Sequence, residues 1–165
     1  MPELLKPAKR GPKPKRRIPA VRAKGKRKKV TRREQRKRLA KLCNDLWSFI
    51  VKARVQYTCQ SPRSPHECSH VWQAAHCIPK GPYPSIRYEL WQGRCLCSAE
   101  HTYYTHREAE WYEHLRDLWG ADLFRERLKK GMQPAKHDLE AVYSGLRAEV
   151  LRIGIAHQAR ERGLL

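Results

Sequence analysis

Acidic residues are scarce in this chain: 16 Asp and Glu stand against 36 Lys and Arg, giving a formal net charge of +20 over 165 residues. So strong an imbalance in so short a chain points to a polyanionic partner. No apolar run approaches the ~18 residues of a membrane-spanning helix, and the first ten residues, charged and broken by proline, lack a signal-peptide core. We therefore expect no membrane partner and a soluble protein in a reducing compartment, the cytoplasm (that of a bacterial host if the gene is phage-borne). In that setting Cys43, Cys59, Cys68, Cys77, Cys95 and Cys97 read as thiols or metal ligands, not as a disulfide framework. There is also no internal repeat, and aliphatic residues are few in the first quarter.

What the first quarter holds is charge. Residues 1–38 carry 18 Lys and Arg against 2 acids, with five prolines and the run KGKRKK from Lys24 to Lys29. Such a segment cannot bury enough apolar surface to offset its ordering entropy, so residues 1–30 are expected to form a disordered basic arm. An arm of this kind gains affinity for nucleic acid by releasing condensed counterions. Other uses are a solubilising tail or docking on ribosomal RNA or acidic lipid; the absence of aromatics, with Leu only at Leu4 and Leu5, disfavours lipid. The arm does not distinguish DNA from RNA.

Order is expected from Thr31. The tetrad TRRE fits a capping box, and Leu39, Leu42, Leu46, Phe49 and Ala53 recur at helical intervals, predicting a basic amphipathic helix over 31–56. Its first turns carry Arg32, Arg33, Arg36 and Lys37, candidate contacts to DNA phosphates. Cys43 reads as a small apolar residue of this helix. From Tyr57 the texture changes to Pro, Cys, His and aromatics, with strand-like pieces at Val71 to His76 and Leu90 to Leu96 around the loop KGPYPS. A helix is expected from near Ser98 past Leu118 to a stop at Gly120, and a shorter one from Ala121 to Lys130 ended by Gly131. This makes 57–130 a core unit. Residues 131–165 form a C-terminal helical extension, with a helix capped by Asp138 whose apolar face suits either self-packing or a homodimer.

Cysteine and histidine cluster in the middle of the chain. Cys59 and Cys68 precede His76, and Cys95 and Cys97 follow it, a thiol set able to suit tetrahedral Zn²⁺ although the spacings are irregular. Cys95 and Cys97 lie two apart, so on a strand both side chains point to one face. His76 on these grounds alone is a packed core residue, a ligand or a base.

The stretches AHCIP (Ala75 to Pro79) and QGRCLCSAEH (Gln92 to His101) resemble the two halves of an HNH endonuclease motif. Together with the pair Arg87–Tyr88 and the helix AEWYEHLRDLWG, the layout is similar to phage recombination nucleases of the NinG/Rap type over Cys59 to Leu128. The resemblance implies an α+β, ββα-metal fold and metal-dependent hydrolysis of branched or double-stranded DNA. It implies His76 as general base, His101 as ligand to one Mg²⁺ or Mn²⁺ ion, and Gln92 at the position that orients the hairpin. Arg87 and Arg94 would hold phosphates. Cys59, Cys68 and Cys97 match the zinc-knuckle positions; Glu100 stands at the fourth cysteine, so either Cys95 takes over as zinc ligand, the favoured reading, or Glu100 gives its carboxylate to a metal, or there is no structural zinc. Ala75 occupies the place of a metal-binding Asp, so Glu100, Glu89 or water would complete the metal shell, and His106 is a further candidate ligand.

Overall fold

The computed structural model describes residues 30–63 and 67–165; the expected basic arm and His66 lie outside them. The described residues form an α+β fold of six α-helices and one two-stranded antiparallel sheet. Helix α1 spans Arg32–Ala53 and begins as its sequence dictates. The Thr31 side chain accepts from the Glu34 N–H, and Glu34 accepts in return from the Thr31 N–H at 2.8 Å. Residues 31–38 are exposed on every side, whereas Cys43, Leu46, Trp47, Phe49, Ile50 and Val51 are buried. One helix thus carries a solvated basic end and an apolar end.

Strands β1 (Trp72–His76) and β2 (Gly93–Cys97) pair with Ala74 opposite Cys95 and His76 opposite Gly93. The strand expected from Leu90 begins three residues later, because Leu90–Gln92 forms a 3₁₀ turn. Alternation along the strands separates two faces. Ala74, His76, Gly93, Cys95 and Cys97 lie on the α1 side, and Gln73, Ala75, Arg94 and Leu96 on the other. The contact with α1 requires glycine at position 93: a Cβ there would sit 2.2 Å from Val51 Cγ2.

The opposite face is covered by α2 (Ser98–Thr105), α3 (Glu108–Trp119) and α4 (Ala121–Met132), with Ala75, Cys77, Leu96, Tyr104, Trp111, Leu115 and Phe124 as its core. The single helix expected from near Ser98 to a stop at Gly120 is two helices. The break at His106 and Arg107 folds α3 back, so the Tyr104 and Trp111 rings meet at 4.8 Å. In one continuous helix their backbones would be about 10.5 Å apart. Gly131 likewise does not end α4, which runs on to Met132. Its role is close approach, since a Cβ there would lie 2.8 Å from Tyr83 Cδ1.

The C-terminal part supplies α5 (Leu139–Arg152), capped by the Asp138 side chain, and α6 (Ala156–Glu161). Leu139, Leu146, Val150 and Ala159 complete one core with the buried face of α1. Cys43 lies in that core, and its thiol donates to the Leu139 carbonyl at 3.5 Å.

Candidate functional site

Helix α1, strand β1, the loop after it and helices α2 and α3 enclose a cleft of about 800 Å³. Both His76 and His101 line it. His76 closes β1, with its imidazole stacked on Trp47 of α1 at 4.1 Å between centroids and 15° between planes. Its Nε2 lies 3.1 Å from the Arg87 carbonyl oxygen. A carbonyl can only accept, so Nε2 carries the proton and Nδ1 keeps a lone pair. Burial, partly opposed by that carbonyl and reinforced by the Lys80 and Arg87 charges, holds His76 down to about 4. The ring is neutral at pH 7.

His101, on α2, has Nδ1 against Gln73 Oε1, which leaves Nε2 with the free lone pair. Burial lowers its pKa as well. An imidazole held at one nitrogen by an oxygen acceptor is the arrangement in which the other nitrogen binds a metal well.

The loop between β1 and the 3₁₀ turns is pinned from beneath. Gln92 is 0 % exposed, and its amide spans both backbone groups of Ile78, donating to the carbonyl at 2.5 Å and accepting from the N–H at 3.1 Å. Arg87 braces the same region, with Nε and Nη2 donating to Asn44 Oδ1 at 3.1 and 3.0 Å. Through its carbonyl and its guanidinium, Arg87 therefore ties His76 to α1.

Other expected metal ligands are elsewhere. Glu100 is 3 % exposed and engaged by the Ser61 hydroxyl, with Arg63 Nη1 at 3.4 Å, and it does not line the cleft. The N-terminal turn of α2 directs it toward the 61–63 segment. His106 is the exposed C-terminal cap of α2 and does not line the cleft. Glu89 pairs with Lys130 at 2.7 Å. The carboxylates that do line the cleft are Asp45 and Glu108, and Asp45 pairs with Lys41 at 2.5 Å. Neither was marked by the sequence, because each looks like an ordinary polar residue of an amphipathic helix. For a divalent cation, these residues offer one well-oriented imidazole, and no three cleft side chains among the described residues converge as ligands.

On the α1 side of the hairpin, at its open end, the sulfurs of Cys59, Cys68 and Cys97 lie within 4.8 Å of one another, a cluster able to hold a metal ion. The Cys97 N–H donates to Cys59 Sγ at 3.2 Å. Burial disfavours the Cys97 thiolate, but the backbone N–H groups of Glu100 and Ser69, with Cys68 and the Ser69 hydroxyl, outweigh it and bring the thiol to about 6. Cys95 shares the strand face yet falls outside the cluster. Burial first, and then Cys59, pushes its thiol up to about 11.

No match exists among protein-family models, curated proteins or solved structures. The remaining residues of interest are basic. Arg32, Arg33, Arg36 and Lys37 stand exposed on the first turns of α1. Arg94 is half-exposed on the hairpin face turned to α3 and α4, beside Cys77 and apart from the basic turns of α1.

Proposed function

We propose that the chain is a metal-dependent endonuclease that hydrolyses phosphodiester bonds of DNA, with branched or recombining phage DNA as its substrate class. The observation that carries this reading is the pairing of His76 and His101 in one cleft, each with one ring nitrogen engaged by an oxygen acceptor and the other bearing a lone pair. His76 accepts the proton of the attacking water at Nδ1, and the Arg87 carbonyl fixes the tautomer that makes this possible. His101 offers Nε2 to the cation, which when bound supplies charge stabilisation at the phosphate. Magnesium prefers oxygen to imidazole and keeps several waters, so water and substrate phosphate oxygens, with Asp45 and Glu108 lining the same cleft, would make up the shell beside His101. The exposed basic turns of α1 and the basic arm hold the DNA backbone. The protein acts in the host cytoplasm, as a monomer or a homodimer.

The thiol cluster is assigned to structural Zn²⁺. A Zn–S distance of about 2.3 Å places tetrahedral sulfurs about 3.8 Å apart, which sulfurs already within 4.8 Å reach by small rotations.

Cleavage of supercoiled plasmid and of a synthetic four-way junction with Mg²⁺ or Mn²⁺ tests the proposal. Wild type should cut only with metal, and His76→Ala should bind DNA equally well without cutting. One observation favours a second reading, a non-catalytic zinc-knuckle nucleic-acid-binding protein. Among the described residues the thiol cluster is the one set of three metal-capable side chains within mutual reach, and Ala75 adds no carboxylate. Tight DNA binding by wild type with no cutting under either metal would establish that reading instead.

A further inference from the structure

Outside the cleft, the hairpin face turned toward α3 and α4 gathers three arginines that no carboxylate pairs directly; the nearest acids are Glu126 beside Arg127 and Glu149 facing Arg54. Arg94 extends from β2 to the Cys77 sulfur. Arg54, at the end of α1, donates from Nη2 to the Gly93 carbonyl at 2.6 Å. Arg127, on α4, sits in the corner of two perpendicular indoles, with its guanidinium carbon 4.4 Å from the Trp91 centroid and 4.1 Å from that of Trp119. Its Nη1 is buried and has no hydrogen-bond partner. No ion pair among the described residues involves Arg54, Arg94 or Arg127. The group at their centre offers no charge either, since burial keeps the Cys77 thiol protonated, up to about 12. Glu149, the acid facing Arg54, is clamped by both nitrogens of Arg152 at 2.6 Å.

This arrangement is costly as it stands. Burial lowers the pKa of Arg54 and Arg127, and the Arg94 charge lowers both further. Indole faces attract a guanidinium but accept no hydrogen bond in its plane, so the Nη1 donor is unsatisfied. An oxyanion would satisfy that donor and neutralise the cluster together.

We propose that Arg94 and Arg127, with Arg54 at the rim, form a second phosphate site for a nucleic-acid backbone, separate from the His76–His101 cleft. The inference deepens the nucleic-acid reading above. Planar, stacked guanidinium groups suit phosphate oxygens through paired N–H donors. Half-exposed positions leave Arg94 and Arg127 reachable. None of the three arginines lines the cleft, so a phosphate held here would be distinct from the scissile one.

Two measurements on the full chain test this. In the first, arginine side-chain ¹⁵N–¹H resonances are followed by NMR while inorganic phosphate is added. Arg127 and Arg94 should shift at lower phosphate than the exposed arginines of α1. In the second, duplex DNA affinity is measured against salt. Arg94→Gln/Arg127→Gln should reduce the slope of log K on log[salt] by about 0.9, one phosphate's worth. Arg127→Lys in place of the Gln should restore most of that slope. An unmoved Arg127 resonance, or an unchanged slope in a folded double variant, would sink the proposal and leave a packed arginine solvated by water. Displacement of phosphate by polyglutamate with an unchanged DNA slope would overturn it in favour of an acidic protein partner. If the double variant does not fold, the wild-type NMR titration decides alone. Neither readout uses cleavage, so this site and the nuclease assignment fail separately.

Discussion

Replacing Gly93 by alanine should damage both stability and cleft, and the damage should be repaired by shrinking Val51. The added Cβ would meet Val51 Cγ2 at 2.2 Å, Val51 Cγ1 at 3.0 Å and Trp47 Cζ2 at 3.0 Å. Non-bonded carbons prefer about 3.5–4.0 Å, so α1 must retreat by more than an ångström at this point. Overpacking of a buried position costs about 1–3 kcal/mol. Val51→Ala alone removes two buried methyl groups and should cost about 1.5–3 kcal/mol, from about 0.8 kcal/mol per carbon plus a cavity. The double variant places the new methyl where the lost ones were, so its loss should fall short of the sum by at least ~1 kcal/mol. Urea unfolding of the four proteins measures this. Because Trp47 is the ring stacked on His76, near-ultraviolet circular dichroism should change in Gly93→Ala and recover in the double variant. A double variant as unstable as the two losses added together would show that the hairpin and α1 do not meet as described.

Further outcomes can be checked alongside. His76 is held at about 4 when folded and titrates near ~6.5 when unfolded, so the unfolded chain binds the extra proton between those values. Stability from this residue is present above pH 6.5 and lost as pH falls toward 4. Wild type should lose about 2 kcal/mol more than His76→Gln between pH 7 and pH 5 in urea melts, and equal losses would contradict the burial of this ring. Metal content by mass spectrometry should remain near one zinc per chain in Cys95→Ser and fall in Cys97→Ser or Cys68→Ser, because Cys95 lies outside the cluster; the reverse order would reassign the ligands. Gly131→Ala should lower stability by about 1–3 kcal/mol despite alanine's better helix propensity, since its Cβ meets Tyr83 at 2.8 Å. Pairing it with Tyr83→Ala should remove that specific penalty.

The first helix was legible because its signals are local: a capping box, then apolar residues at helical spacing. Cysteine and histidine in the middle segment marked the region of the candidate site, and strand periodicity placed Cys95 and Cys97 on one face. What escaped depends on contacts between distant segments. The break at His106 reflects α3 folding back to bring Trp111 Nε1 to the Cys77 carbonyl at 2.8 Å, which no spacing rule encodes. Gly131 looks like a helix stop until Tyr83 is seen against it. Glu100 fits a ligand position in one dimension, but its partners, Ser61 and Arg63, lie some forty residues earlier. Asp45, Trp47 and Asn44 were hidden in a helix whose role had been read as binding alone. Arg94 was read as a phosphate contact, but its grouping with Arg54 and Arg127 was missed because the three are widely spaced in the chain.

That α1 is one unbroken rod from Arg32 to Ala53 has a metrical consequence. From Arg33 to Trp47, which holds His76, the rise is about 21 Å at 1.5 Å per residue. A phosphate gripped at Arg33 would therefore be spaced from the cleft by a fixed ruler, about six base pairs of duplex at 3.4 Å per step. Lengthening or shortening the exposed turns of this rod would change the footprint without touching the chemistry.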